Sequence, residues 1–358
     1  MVKLQIVVRT LSGQILRAIT TLSLSIGMLT GPSGAQEAAK KQLPNSPPNI
    51  EIKSNLVVVP ALVRNAEGNV VYSLTANDFL VLDNGVEQKI RLENDLDPQP
   101  LALVVAIQTG GNGARQQEYL TGLSTMIENI DGSIPAKIAV VAFGSEPSLV
   151  AEFSTNQEMI REKLKHSPSV GGGSAILDAV AFSLHLLDEQ PMQYRKAILL
   201  ISETRDHGSK MRRAEIIEAI ARSNTAIYSV AFSPAITQFK DALTGPGQVS
   251  KPPAIAPFPG PIAYFDIQAL LDLAINGVRT NAAEEMASLS GGEYIRFDNK
   301  QEFDQNLNSI ANHLPNRYIL SFQPASSQSG FHLISVRLKS HPNWSVTART
   351  SYWAAGSQ

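Results

Sequence analysis

Between residues 101 and 314 the chain alternates short apolar runs with segments whose apolar residues recur every three or four positions. LALVVAIQ at 101–108 and AILLIS at 197–202 are continuously apolar, as in strands buried on both faces. SAILDAVAFSLHLLDE at 174–189 has the apolar spacing of a helix. This alternation predicts an α/β fold, a doubly wound, mostly parallel Rossmann-like sheet with helices on both faces.

The segments on either side of this region lack helical spacing and predict β-strands, among them two runs within 55–74 and one strand at 345–353. Asp83-Asn84-Gly85 predicts a hairpin turn within 78–92, because Asn-Gly suits the positive φ angles of a type I′ turn. An isolated β-meander is only marginally stable, so we expect the two flanks to pack together as a β-sandwich-like domain. The predicted organisation is an N-terminal β segment at 49–97, an α/β domain at 98–316 and a C-terminal β segment at 317–358.

The N-terminal residues have the pattern of a signal peptide. Lys3, Arg9 and Arg17 accompany an uncharged apolar stretch at 18–31, and Ser-Gly-Ala at 33–35 has the small residues of a cleavage site. We therefore expect residues 1–35 to be removed, 36–48 to be a linker, and the protein to be periplasmic or extracellular with no remaining membrane span. An uncleaved membrane anchor is the alternative.

Composition excludes several classes of function. The chain has 358 residues, no cysteine and a formal net charge of −2. Disulfides, thiolate metal sites and a cysteine nucleophile are therefore absent, and the charge gives no sign of a nucleic-acid interface. No histidine pair has metal-ligand spacing, and no serine of the expected mature chain lies in a G-x-S-x-G motif. We therefore expect a protein that is not an enzyme and that needs no cofactor.

A Pro-rich insertion at 234–265 interrupts the α/β pattern. We expect it to add a second surface for binding a partner.

Three stretches resemble the von Willebrand factor type A (vWA) domain superfamily. LALVVAIQTGGNG at 101–113 stands where that family has its first strand and metal-site turn. GGGSAILDAV at 171–180 and AILLISETRDHGS at 197–209 stand at its second and third site loops. The flanking segments extend the resemblance to the secreted bacterial VWFA-related family of acidobacterial type, over roughly 49–353.

The resemblance implies a divalent-cation site that bridges to a carboxylate on a partner protein. The family pattern is Asp-x-Ser-x-Ser in the first loop, with a Thr and a second Asp from two further loops. This chain departs from the pattern at all five positions, which are occupied by Gln108, Gly110, Asn112, Ser174 and Glu203. Mg²⁺ requires about six oxygen ligands, and carboxylates offset the cost of its dehydration. With one carboxylate in place of two, we expect a degenerate site that binds Mg²⁺ or Mn²⁺ weakly at most.

The leading hypothesis is an adhesion-like module that binds a protein partner without a metal ion. Its partner-binding face is expected to comprise Gln108, Thr109, Gly110, Gly111, Asn112, Gly173, Ser174, Glu203, Asp206 and His207. A second hypothesis keeps an altered Mg²⁺ or Mn²⁺ site built from Asn112, Ser174 and Glu203, with Asp206 as a further ligand. A third is a hydrolase that uses Glu203 and His207, and a fourth is a structural envelope protein that associates through its β-sandwich.

Overall fold

The computed structural model describes residues 56–93, 99–111, 113, 120–131, 134–232, 267–325 and 328–354, which lie within one compact unit, Lys53–Gln358. The expected signal peptide, the linker, Asn112 and the insertion at 234–265 lie outside the described residues. The strands are β1 Val57–Arg64, β2 Phe79–Asp83, β3 Val86–Glu87, β4 Ile90–Glu93, β5 Leu101–Gln108, β6 Ala136–Phe143, β7 Pro147–Ser154, β8 Arg195–Glu203, β9 Thr225–Phe232, β10 Tyr294–Phe297, β11 Tyr318–Phe322, β12 Gly330–Leu338, β13 Ser345–Ala348 and β14 Ser351–Ala354. The helices are α1 Leu120–Asp131, α2 Gln157–Lys165, α3 Ile176–Asp188, α4 Arg213–Arg222, α5 Ile267–Thr280, α6 Ala282–Ser290 and α7 Lys300–His313.

The central sheet confirms the fold class expected from the sequence. Its six strands have the order β10-β9-β8-β5-β6-β7, and all pairings are parallel except that of the edge strand β7 with β6. Every residue of β5 is buried, because helices cover both faces of the sheet. Helices α1, α2 and α7 pack on one face, and α3, α4, α5 and α6 pack on the other.

Local signals set the helix ends in this unit. The side chains of Asn156, Asn281 and Asn299 accept hydrogen bonds from the first turns of α2, α6 and α7. Gly291 ends α6 with a φ of 78°, a left-handed conformation that glycine adopts without steric cost. Among the described residues, no helix is both long and apolar enough to cross a membrane.

The two flanks interleave in a pair of four-stranded antiparallel sheets. One has the order β13-β1-β11-β4 and the other β14-β12-β2-β3, so each sheet takes strands from both ends of the chain. Their facing sides share one apolar core, in which Val59, Phe79, Leu320 and Phe322 are almost fully buried. The two flanks therefore fold as one unit, because each sheet and the core between the sheets need strands from both ends of the chain.

The hairpin turn expected within 78–92 is confirmed, but the strands of the flanks differ from the expectation in three places. Asn84 and Gly85 do form the tight turn, with φ angles of 45° and 83°, but β3 is only two residues long and β4 joins the other sheet. The run at 345–353 is divided between β13 and β14, which also belong to different sheets. The second half of 55–74 forms only a single bridge, between Arg64 and Val70. Helix α5, which follows the insertion, was not predicted.

A buried ionic cluster joins the β-sandwich to the α/β unit. Glu293, just before β10, accepts hydrogen bonds from Arg64 of β1 and, at 3.0 Å, from Nη2 of Arg317. Nδ1 of His313 lies 3.0 Å from Oε2 of the same carboxylate. Although burial alone would raise it, hydrogen bonding by His313 and the charges of Arg317, His313 and Arg64 lower the pKa of Glu293 to about 2.

Arg349 makes a second connection between the same two regions. It lies between β13 and β14, is 4% exposed, and donates to the carbonyl oxygen of Ala221 at 2.9 Å and to Oδ1 of Asn224 at 3.0 Å. Its Nε donates to the carbonyl oxygen of Ser351. Burial lowers the pKa of Arg349 to about 10. These bonds satisfy the carboxyl end of α4, so the sandwich supports the helix layer of the α/β unit.

Candidate functional site

Three loops meet at the carboxyl edge of the parallel sheet. The first follows β5 at Gln108, the second is the glycine run that leads to Ser174 before α3, and the third follows β8 at Glu203. Ser174 and His207 form a β-bridge, with backbone bonds of 3.0 and 2.8 Å in the two directions. In open α/β folds, ligands bind at this edge of the sheet, so the loops are placed as a binding site.

The side chain of Gln108 occupies the centre of this edge and is fully buried. Its Oε1 accepts from Oγ of Ser174 at 3.0 Å and from the backbone N–H of Glu203 at 2.9 Å. Its Nε2 donates to Oε1 of Glu203 at 3.1 Å, with longer contacts to the carbonyl oxygens of Gly110 at 3.3 Å and Gly173 at 3.4 Å. One amide therefore contacts all three loops.

These groups do not fit a divalent cation. The amide oxygen of Gln108 is used by two donors, and its nitrogen directs N–H groups towards the Glu203 carboxylate, where a cation would need oxygen ligands. No group of three His, Cys, Asp or Glu side chains able to hold a metal ion occurs in the part of the chain that the structure describes. Asn112, a ligand in the altered-site hypothesis, lies outside that part.

Close backbone packing explains the glycine at one of the two serine positions of the family pattern. A Cβ atom on Gly110 would lie 2.5 Å from the carbonyl oxygen of Gly171 and 2.6 Å from that of Val170. Such distances are far below van der Waals contact, so a serine there requires the backbone to move. Position 110 therefore lacks both the ligand and the space for it.

The third loop is fixed to the start of α3 by reciprocal hydrogen bonds. Oδ1 of Asp206 accepts from the backbone N–H of Leu177 at 3.1 Å and from the hydroxyl of Ser209. In return, the carboxylate of Asp178 accepts from the backbone N–H groups of Lys210 and Met211 at 2.9 and 2.8 Å. Asp206 thus caps a helix, which is a different role from the ligand role considered for it in the altered cation site. The sequence analysis did not identify Asp178 or Ser209 as part of this site. Two features could have indicated them: Asp178 is an acid in the first turn of α3, and Ser209 is a hydroxyl residue in a Gly-Ser turn.

The expected partner-binding face divides into buried and exposed residues. Four of its side chains lie below the surface, at Gln108, Thr109, Ser174 and Glu203, with exposures between 0 and 5%. Thr109 donates its hydroxyl to the carbonyl oxygen of Pro168 at 2.8 Å. The surface above them is formed by exposed residues at Gly111, Gly171, Gly172, Gly173, Arg205, His207 and Gly208. Among the described residues of this edge, a partner would therefore meet mostly glycine backbone.

Glu203 and His207, the pair considered for a hydrolase, are placed differently in the fold. Glu203 is 4% exposed, and its carboxylate accepts from the Gln108 amide. The His207 side chain is exposed, while its backbone holds Ser174. A general base must reach the proton that it abstracts. The Glu203 carboxylate is buried and hydrogen-bonded to Gln108, so this arrangement does not present it to a substrate.

Residues 108–205 match the sequence family described as the von Willebrand factor type A domain. No curated protein matches the chain significantly. Among solved structures, an aerotolerance-related membrane protein from Bacteroides fragilis is 15% identical, covers 60% of this chain and 99% of its own, and has a TM-score of 0.37. The PilB minor pilin from Streptococcus sanguinis is 11% identical, covers 63% of each chain and has a TM-score of 0.42. Residues 108–205 are thus similar to the vWA superfamily, and they lie within a unit whose sheet is mostly parallel.

Proposed function

Because residues 108–205 match the vWA family and the sheet around them is doubly wound, we propose that the protein is a non-enzymatic protein-interaction module that binds its partner without a divalent cation. The observation that carries this proposal is the Gln108 amide, which satisfies Ser174 and Glu203 at the place where the resemblance implies a cation. We assign the chain more narrowly to the secreted bacterial VWFA-related family, from the order of its flanking segments.

The docking face is the carboxyl edge of the parallel sheet. Its exposed glycines present bare peptide groups, which can pair with a partner through backbone hydrogen bonds. The loops beneath them are held by buried contacts, so the face is preorganised and loses little conformational entropy on binding. Export, inferred from the basic and apolar residues before position 36, places this face in the periplasm or outside the cell.

Site-specific photo-crosslinking of the full chain in its native host tests the docking face. A photoreactive side chain fits at Gly172, because a Cβ atom there meets nothing within 4 Å. The matched control is Met192, which is 97% exposed and lies between α3 and β8, at the opposite edge of the sheet. We expect an adduct of defined mass at position 172, unchanged by a chelator, and none at position 192.

Two outcomes of this experiment contradict the proposal. Absence of an adduct at position 172 would mean that this edge is not the docking face. An adduct that disappears with a chelator and returns with Mg²⁺ or Mn²⁺ would favour the altered cation site instead.

A further inference from the structure

We infer that Asp83, His332 and Tyr352 form a pH-sensitive lock inside the β-sandwich, which is closed while His332 carries two ring protons and opens when one of them is lost in alkaline solution. The three residues lie on β2, β12 and β14, which are neighbouring strands of one sheet of the sandwich. They take no part in the carboxyl edge of the parallel sheet, so the inference does not depend on the proposed function.

The three side chains are buried and hydrogen-bonded to one another. Asp83, His332 and Tyr352 are 3, 2 and 4% exposed. Nδ1 of His332 lies 2.8 Å from Oδ1 of Asp83, and the Tyr352 hydroxyl donates to Oδ2 of the same carboxylate at 2.9 Å. Nδ1 has longer contacts with the Tyr352 hydroxyl at 3.1 Å and with Nδ2 of Asn84 at 3.3 Å. On the other side of the ring, Nε2 lies 3.0 Å from the carbonyl oxygen of Gln328.

These contacts need one proton more than a carboxylate and a neutral histidine supply. A carbonyl oxygen can only accept, so Nε2 of His332 carries a proton. The Tyr352 proton is used at Oδ2 of Asp83, so the 2.8 Å contact between Nδ1 and Oδ1 needs a proton of its own. Without it, lone pairs on the two atoms would face each other. An imidazole is a stronger base than a carboxylate, so this proton lies on Nδ1 and the ring is an imidazolium.

The neighbouring groups do not replace this proton. Burial and the charge of the Asp83 carboxylate raise the pKa of Tyr352, so its hydroxyl stays protonated in alkaline solution. Among the described residues, Arg349 is the other charge that acts on this hydroxyl. The hydrogen bonds of Arg349 go to β14 and to acceptors at and just beyond the carboxyl end of α4. The contact between Asp83 and His332 therefore depends on the second ring proton.

Loss of this proton would leave an ionised carboxylate against a lone pair in a region closed to solvent, which is costly. In an unfolded chain, histidine loses its proton near pH 6.5, whereas the folded cluster keeps it. Above pH 6.5 the folded state therefore holds one proton more than the unfolded state. The stability that the lock contributes is complete below this pH and falls as the pH rises. His332 is paired with Tyr352 across β12 and β14, so opening weakens the attachment of β14.

Urea unfolding of the full chain between pH 6 and pH 8.5 tests the lock in the wild type and in Asp83→Asn. An asparagine amide can donate to Nδ1 and accept from Tyr352, so this variant keeps the bonds of the cluster with a neutral ring. From pH 7.5 to 8.5, we expect the unfolding equilibrium constant of the wild type to rise about tenfold relative to that of Asp83→Asn. The matched control is His185→Gln. The His185 ring is exposed and lies 3.8 Å from Glu189, so this variant should follow the wild-type profile.

Nitrogen-15 NMR of the histidine rings gives a second readout that needs no substitution, and it decides the matter if Asp83→Asn does not fold. At pH 8.5, we expect both ring nitrogens of His332 to carry protons. The exposed ring of His185 should carry one proton at this pH and serves as the internal reference.

Two results overturn the inference. One is a wild-type pH profile that runs parallel to that of Asp83→Asn from pH 7.5 to 8.5. The other is a single ring proton on His332 at pH 8.5, which would mean that the buried contact with Asp83 holds no additional proton.

Discussion

Two buried glutamates lie at opposite edges of the same parallel sheet and are stabilised in different ways. Glu203 ends β8 at the carboxyl edge, and Glu293 precedes β10 at the amino edge. Glu293 is surrounded by Arg64, Arg317 and His313, whereas Glu203 accepts its hydrogen bond from the neutral amide of Gln108. The joint between the β-sandwich and the α/β unit, formed by Arg64, Glu293, His313 and Arg317, is therefore ionic. The candidate binding edge is held by an uncharged group.

The difference shows which contacts depend on charge. At the joint, cationic groups from separate segments converge on one carboxylate, and removal of that carboxylate leaves buried positive charge without a partner. At the binding edge, the amide already satisfies its neighbours, so the loops are expected to need no ion from solution. Substitutions at the joint should therefore cost much more stability than substitutions at the binding edge.

Glu293→Gln should be the most destabilising of the substitutions considered. We expect a loss of about 3–5 kcal/mol in the free energy of unfolding, because Arg317 is 3% exposed and would lose its counter-charge. Urea unfolding measures this loss. The control is Glu162→Gln on the surface of α2, where the pair with Lys165 is exposed to solvent, and its loss should be much smaller. Similar losses for the two variants would refute an ionic joint.

Acid should weaken the same joint. The pKa of Glu293 falls from 4.5 to about 2 on folding, so its contribution is complete above pH 4.5 and is lost as the pH falls towards 2. The wild type should lose about 3 kcal/mol more than Glu293→Gln over this range, at about 1.4 kcal/mol per pKa unit. Urea unfolding at pH 6, 4 and 2 checks the difference. Parallel pH profiles for the two proteins would contradict it.

Arg349→Met tests the second connection of the sandwich. The substitution keeps an unbranched side chain but leaves the acceptors at Ala221, Asn224 and Ser351 without their donor. We expect a loss of about 2–3 kcal/mol, since the buried carbonyl oxygens of Ala221 and Ser351, each left unpaired, cost on the order of 1 kcal/mol or more apiece. Hydrogen exchange at the carboxyl end of α4 should increase in parallel. Unchanged protection there would show that Arg349 does not support this helix.

Ser174→Ala should have the smallest effect. It removes one neutral hydrogen bond to Oε1 of Gln108, and the backbone N–H of Glu203 still occupies that oxygen. We expect a loss of about 1 kcal/mol by urea unfolding. A loss as large as that of Glu293→Gln would mean that the binding edge, like the joint, depends on one critical contact.

The sequence was sufficient for elements whose signals are local. The apolar runs predicted β5 and β8, and helical spacing predicted α3, each within two residues at both ends. Strand partners could not be predicted in the same way, because β4 pairs with β11 more than two hundred residues later. The ionic joint was missed for the same reason, since Arg64, Glu293 and Arg317 are close only after folding.

The candidate site was predictable in position but not in bonding. The resemblance implied that positions 108, 174 and 203 meet, and their side chains are hydrogen-bonded to one another through Gln108. The sequence did not reveal that the Gln108 amide is buried at their centre. The sequence did contain a signal for this hydrogen bond. Gln108 and Glu203 stand at the two positions where the family pattern has aspartates, and an amide can donate to a carboxylate where two carboxylates would repel each other.

We expect the binding edge to be held by the Gln108 amide and to take no divalent cation. Calorimetric titration of Mg²⁺ and Mn²⁺ into the wild type and into Glu203→Ala tests it most directly. We expect no heat of binding in either protein. A stoichiometric heat in the wild type that disappears in Glu203→Ala would contradict the claim and establish a functional cation site at this edge.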